Sequence, residues 1–409
     1  MADRPYDLIL YGATGFTGRL VAEHLAARID ADSPLRWAIA GRSESKLREL
    51  WDMLADSGAG KAIDVLTAES GDLASLQELA RATRVLCSTV GPYAQHGSEL
   101  VASCVREGTD YCDLTGEVHW IAQMIEAHQG SAEDSGARIV HSCGFDSIPS
   151  DLGTWFVQEA LCEEYGVYAQ RVRGRVGKVR GSASGGTIAS MLGVVAEAGR
   201  DAELRRKLRD KYLLYPAGEA PGPKQRDQFG PVFDPCFSQW TAPFVMAVIN
   251  ERIVRRSNAL LNFSWGRDFV YDESLLCGSR AQALAVSLGL GAGMLTVASS
   301  PGRRLAQRFL PSAGEGPDLA AREAGSFELF FHAEHPEDGD AGIRTRVRGD
   351  RDPGYGATSR MLGEAALCLA EDDLEVEGGF WTPASAMAGM LLPRLEDNAG
   401  LSFELVRDD

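Results

Sequence analysis

A chain of 409 residues is too long for one ordinary hydrophobic core, so two domains are the starting expectation. Its apolar (44%) and charged (24%) fractions are those of a soluble globular protein. The net charge of −17 argues against nucleic acid as a partner, because a phosphate backbone is repelled at long range, while small anions remain within reach of local basic clusters.

The segment Tyr6 to Arg42 sets the organisation. Leu8 to Tyr11 is a short apolar run of strand composition, Gly12, Gly15 and Gly18 follow three residues apart, and Leu20, Val21, Leu25 and Ile29 recur at helical spacing. Strand, glycine turn and helix form the context of a dinucleotide fingerprint, here spaced G-x-x-G-x-x-G rather than G-x-G-x-x-G. The glycines make the turn, admit a pyrophosphate to the backbone and let helix pack on strand, while the freed amides face the phosphates. The cradle is Gly12, Ala13, Thr14, Gly15, Phe16, Thr17 and Gly18. A second strand, Trp37 to Ala40, ends in Gly41-Arg42-Ser43, with Lys46 one turn on. An NAD site wants an acid there for the ribose hydroxyls. A cation suits the 2′-phosphate of NADP. The alternative is that Arg42 is a solvated surface charge.

A helix through Leu47, Leu50, Trp51 and Leu54 breaks at Gly58 and Gly60, and Ala62 to Leu66 reads as the third strand. Asp72 opens a short helix, either as an adenine contact or as an N-cap. The fourth strand, Val85 to Val90, ends in Gly91-Pro92-Tyr93. In a doubly wound sheet the loops at strand C-termini form the ligand crevice, so Gly91 and Pro92 bring bare backbone to the nicotinamide end. Tyr93 is expected exposed there, as a catalyst or as a wall. After the helix Gly97 to Glu107, the fifth strand, Asp110 to Leu114, ends in Thr115-Gly116-Glu117, and His119 starts another helix. The sixth, Ile139 to Cys143, runs into a loop carrying Asp146, Ser147, Ser150 and Asp151. Two carboxylates and two hydroxyls at a strand end suit chemistry, with Asp151 read as the cap of the helix Leu152 to Leu161. About six strands with helices between them make residues 1–150 a Rossmann-type, doubly wound α/β unit with a parallel sheet.

From about Gln170 the texture changes. Arg171 to Val176 alternates basic and apolar, a strand with one cationic face that is read as solvated. Ser184 to Thr187 opens a helix whose N-terminus suits an anionic or carbonyl group. Lys207 to Phe233 reads as a long loop, and Ile253 to Arg256, Phe263 to Tyr271, Ser326 to Glu334 and Ile343 to Arg348 as strands. Strands without intervening helices imply a mostly antiparallel sheet, so residues 151–355 are expected to form an α+β domain for substrate and dimerisation. Within it, Ala281 to Ser300 carries no charge and is flanked by Arg280 and by Arg303-Arg304. Three readings stand: a buried or interfacial helix inside the fold, a lipid-facing patch, or a true span. Asp352 to Gly356 is a turn into the helix Thr358 to Ala370, and Thr382-Pro383 starts the last helix, Ala384 to Leu392. Residues 356–409 are expected to return as helices to the first domain. The eight cysteines form no Cys-x-x-Cys pair and no zinc-spaced cluster, so no metal site is read. With a strand starting a few residues in, rather than a secretory signal, reduced thiols in a cytoplasmic protein are the simplest account.

The set YGATGFTG, AGRS, VGPY, DYCDLTGE, GFDSIPSDLG, SGGT, RIVRRSN, DPGY and TPASAM resembles the saccharopine dehydrogenase-like oxidoreductases over nearly the whole length, and within them the trans-acting enoyl reductase branch. The resemblance implies a Rossmann domain, an inserted α+β domain, and NADPH as donor. It also implies a polyketide or fatty acyl thioester, presented by a carrier or polyketide synthase and reduced at its α,β double bond. Such a reaction needs hydride at the β carbon, a donor to the enolate oxygen and a proton at the α carbon. Tyr93, Asp146, Ser147 and Tyr355 are the polar groups expected at the mouth. Two alternatives stand beside it: an imine or ketone reductase, and a lipid-surface nucleotide-binding protein without turnover. A homodimer, and a peripheral membrane contact through Ala281 to Ser300, complete the expectation.

Overall fold

The computed structural model describes residues 4–30, 32–56, 63–181, 185–299, 302, 316–339 and 341–407. Gly58, Gly60, Ala62, Ser184, Ser300, Arg303 and Arg304 lie outside them. The first sheet takes β1 (Tyr6–Tyr11), β2 (Trp37–Gly41), β3 (Ile63–Thr67), β4 (Thr83–Ser88), β5 (Asp110–Asp113) and β6 (Arg138–Val140) in the order β6-β5-β4-β1-β2-β3, all parallel. A seventh strand, β13 (Gly379–Trp381), pairs parallel with β6, Phe380 opposite Ile139. Three residues opening on glycine carry little strand signal, and the sequence reading passed over them.

Strands covered on both faces read as continuous apolar runs, and β2 is buried at every position. Alternate residues of β1 feed two cores. Leu8 and Leu10 meet Val21 and Leu25 of α1 (Phe16–Arg28) together with Met361 and Ala365 of the helix Thr358–Glu371. Ile9 and Tyr11 face the other side, in the core of Leu76, Leu100, Val101 and Trp120. These last come from α3 (Leu73–Ala82), α5 (Ser98–Glu107) and α6 (Val118–Ser135), with α2 (Glu44–Asp56) beside β3 and α4 (Tyr93–His96) after β4.

The second sheet is mixed. It takes β7 (Arg171–Arg180), β8 (Val232–Asp234), β9 (Gln239–Pro243), β10 (Val270–Cys277), β11 (Ser326–Glu334), β12 (Gly342–Gly349) and β14 (Leu401–Val406), in the order β14-β12-β11-β7-β10-β9-β8. Every pairing is antiparallel except β7 with β10. α7 (Ile148–Tyr165) packs on β11 and β12, and α10 (Ala247–Leu260) on β10 and α7. Between them in sequence come α8 (Gly185–Ala198) and α9 (Ala202–Arg209), and after α10 comes α11 (Arg280–Ala298). The C-terminal chain thus adds a strand to each sheet.

Several expectations are corrected. Ile253 to Arg256 is the middle of α10, not a strand. Backbone carbonyls receive the buried Arg252 and Arg256 of this helix, at Asp210 O (2.9 Å) and Phe380 O (2.6 Å), and Arg255 pairs with Glu251 (3.1 Å). Phe263 to Phe269 is turn, with Asn262 and Phe263 at positive φ, and the strand begins only at Val270. Lys207 to Arg209 ends α9, and Val232 already belongs to β8. The cationic face of β7 is ion-paired rather than solvated: Arg175, 4% exposed, holds Asp234 at 2.6 Å and Asp272 at 2.7 Å. Asp151 lies inside α7, whose N-cap is Ser147. Its carboxylate instead takes Ala384 N (2.8 Å) and the Ser257 hydroxyl, capping the last helix, Pro383–Asn398. That helix runs past Leu392 through Pro393. The reading of Ala281 to Ser300 as buried also fails: only 6% of the Arg280–Val297 window, mean hydropathy 1.2, is buried.

Candidate active site

β1 runs into the turn at Gly12, whose φ of +87° favours glycine. Gly12 N and Ala13 N both donate to Ala40 O at the end of β2, at 2.9 and 3.2 Å, and Gly15 N donates to Gly12 O at 3.0 Å. A Cβ on Gly18 would collide with Gly12 O, and one on Gly12 would sit 2.6 Å from Val90 Cγ2. Gly15, exposed, is the N-cap of α1 and caps nothing with a side chain; the first turn holds no acid. The amides of Phe16, Thr17 and Gly18 therefore open a helix N-terminus with Thr14 beside it, ready for an anion. The register Tyr11 opposite Ala40 sets this turn next to Arg42 and Ser43. Arg42 and Lys46 are exposed there. Burial pushes the Tyr11 phenol up to about 12, with the Arg42 charge pulling it down.

β4 ends against the same turn, Thr89 N on Tyr11 O (3.0 Å) and Thr89 Oγ1 on Gly12 O (3.1 Å). Gly91 is exposed and Pro92 half-buried, joined by a cis peptide. Tyr93, expected open to the crevice, turns inward. It is 3% exposed, donates to Ser88 O (3.0 Å), accepts from Leu114 N (3.4 Å) and packs on Trp120 at 5.6 Å between centroids. Burial, then the Asp113 charge, raises its pKa well above the ordinary phenol value. Tyr93 is a wall of the site, and its proton is committed.

Glu117 is the residue the sequence reading passed over. Both its oxygens are used, receiving Tyr93 N (2.9 Å), Ala94 N (3.0 Å) and the Ser190 hydroxyl of α8 (2.8 Å). An acid directly after glycine at a strand end was its only signal. Asp146 is half-buried, its Oδ2 3.7 Å from where a Cβ of Gly116 would lie. Tyr355, 4% exposed, sits in a π-helical turn, Pro353–Ala357. Its ring meets Phe16 edge-on at 4.8 Å, and its oxygen accepts Gly185 N at 2.7 Å. Among the described residues its own proton has no acceptor.

Ser147 begins a buried chain. Its hydroxyl donates to Asn250 Oδ1 (3.2 Å), Asn250 Nδ2 donates to Ser150 Oγ (3.0 Å), and Ser150 donates to Glu273 Oε1 (2.8 Å). All four are at most 3% exposed. Burial pushes the Glu273 carboxyl up to about 7, and its Oε2 has no partner among the described residues. Glu273 also lines a cavity of about 190 Å³ with Arg171, Arg173, Arg175, Glu251 and Asp272. Arg173 pairs with Glu334, and Arg171 and Arg175 with Asp272, Arg175 also holding Asp234, so three of the four arginines lining the cavity are ion-paired.

Residues 8–140 match the saccharopine dehydrogenase NADP binding domain. The chain is 41% identical over 420 residues to a candidate trans-acting enoyl reductase of Mycobacterium tuberculosis, covering 99% of this chain and 98% of that one. It is 36% identical to the trans-acting enoyl reductase of Mycobacterium ulcerans, covering 96% of each. The chain belongs to the saccharopine dehydrogenase-like oxidoreductases, in the trans-acting enoyl reductase branch. The saccharopine dehydrogenase (L-Glu forming) of Saccharomyces cerevisiae shares the fold, with a TM-score of 0.54 at 15% identity over 98% of this chain and 99% of that one.

As a member of this family the chain is an NADP-dependent oxidoreductase. The residues fit the cofactor. The uncapped amides of α1 suit the pyrophosphate, exposed Gly15 leaves the backbone of the turn open to it, and a cation stands at Arg42 where NAD would want an acid. Asp72 caps α3, accepting Ala74 N at 3.1 Å, as the N-cap alternative has it.

Proposed function

We propose that this enzyme reduces the α,β double bond of a polyketide or fatty acyl thioester that a separate carrier or polyketide synthase presents to it. The reading rests on one observation: likeness to named trans-acting enoyl reductases runs through both domains, not the nucleotide unit alone. Bound NADPH supplies the hydride for the β carbon. The protein's part is to hold the thioester oxygen as charge develops and to deliver a proton at the α carbon. The hydroxyl protons of Tyr93 and Ser147 are already donated, to Ser88 O and Asn250 Oδ1. Tyr355 is the better donor, because the Gly185 amide fixes its oxygen while leaving its proton for substrate. Asp146, half-buried in the loop between β6 and α7, is the second polar group assigned to the crevice. Gly91 and Pro92 give the acyl chain a wall without side-chain donors. Eight unpaired cysteines support a reducing, cytoplasmic setting.

The test is NADPH oxidation with a panel of enoyl thioesters, from crotonyl to long chains, on pantetheine and on a carrier protein. Turnover on the panel supports the reading. Turnover only with an amine plus a keto acid would replace it with imine reduction, and NADPH binding without any turnover would leave a non-catalytic nucleotide-binding protein.

A further inference from the structure

We infer that α11 is a lipid-docking helix that holds the protein on an anionic membrane surface, its distal half immersed at the boundary of headgroups and acyl chains. The helix is fixed to the body at one end. Ala283 is fully buried with Ala242 of β9 and Cys277 of β10, Trp240 and Val286 packing around them, and Arg280 stands 5.5 Å over the Trp240 ring. Beyond that anchor the side chains face outward: Leu284 is 48% exposed, Leu288 64%, Met294 44% and Leu295 77%. Nothing lies within 4 Å of where a Cβ would stand on Gly289, Gly291 or Gly293. An apolar surface of this extent on an otherwise soluble chain marks a contact site.

Three observations select lipid as the occupant. The hydroxyls of Ser287 and Thr296 donate back to Ala283 O (2.7 Å) and Ala292 O (2.8 Å) of the same helix, so after Gln282 its described polar side chains are satisfied within the helix. Leu284, Leu288 and Leu295 stand within about 40° of one another around the axis at ~100° per residue, one outward apolar stripe with Met294 beside it, as a helix lying in a lipid surface presents. Charge agrees as well. From Ser274 to Gly314 the sequence has no Asp or Glu, and it has four arginines, Arg280, Arg303, Arg304 and Arg308, in a chain of net charge −17. Such a local reversal suits anionic headgroups. The part of α11 beyond Val286 is about 18 Å long at ~1.5 Å per residue, short of the ~30 Å hydrocarbon core, so it lies in the surface rather than spanning.

The helix also stands close to the crevice. It packs on α8, whose first amide, Gly185 N, is held by Tyr355 against Phe16. Entry of a lipid-like acyl chain from that side rests on the function proposed above; membrane docking does not.

The experiment is flotation of the full-length protein with vesicles of phosphatidylcholine alone and of phosphatidylcholine with phosphatidylglycerol. The wild type is expected to float with the anionic vesicles, and less so as salt rises. The double substitution Leu288→Glu and Leu295→Glu, at exposed positions, is expected to weaken binding at least tenfold with unchanged NADPH affinity. A wild type that floats with neither vesicle, or a double variant that floats like the wild type, overturns the inference. So does loss of a wild-type dimer in the variant, by light scattering, without any vesicle binding by either protein. Vesicle binding without enoyl turnover would sink the proposed reaction and leave this inference standing.

Discussion

Phe16 and Tyr355 meet edge to face, ring centroids 4.8 Å apart. One belongs to the glycine turn of the NADP-binding domain, the other to a turn more than three hundred residues later in the chain. Because the Tyr355 oxygen also accepts Gly185 N, three elements converge on one side chain: the nucleotide turn, the C-terminal half of the chain and α8. A group so placed is held rigidly with its proton unspent, the arrangement that stabilisation of an enolate calls for.

Tyr355→Phe should therefore lower kcat by roughly 10²–10³ while leaving the Kd for NADPH within about twofold, since the ring contact with Phe16 survives. Tyr93→Phe should do the reverse. It leaves Ser88 O and Leu114 N without their partner, at a cost of about 1–3 kcal/mol in stability, and changes kcat only a few-fold. Steady-state kinetics beside thermal melts separates the two. Equal kcat losses in both variants would sink the assignment.

Arg42→Asp tests cofactor choice. A cation–phosphate contact is worth about 1.5–3 kcal/mol, so NADPH affinity should fall roughly 10- to 150-fold while NADH affinity changes little. Calorimetry with both nucleotides reads this directly. A parallel loss for the two would mean that Arg42 does not reach the 2′-phosphate.

Gly18→Ala should abolish binding of either nucleotide. The added methyl collides with Gly12 O, so the turn must open and α1 must lift from β1. Overpacking of this kind costs about 1–3 kcal/mol in stability as well. Gly15→Ala is the control for stability, because its Cβ meets only Gly12 O at 3.4 Å. Nucleotide affinity unchanged in Gly18→Ala would contradict the close approach described here.

The parallel half of this protein was legible in sequence because strands buried on both faces read as unbroken apolar runs, and because a glycine turn after β1 has few other uses. The second half was less so. The segment Ile253 to Arg256 mixes apolar and basic residues in a way that suits strand or helix, and only the fold explains why its arginines are buried: Arg256 on Leu214 O and Phe380 O, Arg255 on Tyr271 O and the Glu251 carboxylate. Strands of three residues, such as β8, owe their existence to a neighbouring edge rather than to their own composition. At the site, sequence placed Tyr93 on the correct loop but could not say which way its ring turns; packing on Trp120 decides that. Sequence put Ser147 and Ser150 in one loop but could not join them to Asn250 and Glu273, because each hydrogen bond of the chain links residues a hundred or more apart that meet only in the fold.

That chain gives stability a pH dependence with a definite sign. Burial, opposed by hydrogen bonds from Ser150 and Asn250, lifts the Glu273 carboxyl from 4.5 to about 7, the nearby Glu251 charge adding to the rise and Arg175 opposing it. An acid with a raised folded-state pKa binds more protons folded than unfolded between those values. Its contribution to stability is fully present below about pH 4.5 and is lost as pH climbs through 7, on the order of 3 kcal/mol in all. Asp151, lifted from 3.8 to about 6, acts in the same direction one unit lower. Glu273→Gln removes the titration at one position but keeps a carbonyl for the Ser150 hydroxyl. The melting temperature of this variant minus that of the wild type should therefore rise between about pH 5 and pH 8, whatever its value at pH 5. A difference that stays flat across that range would mean the Glu273 carboxyl titrates normally in the folded protein.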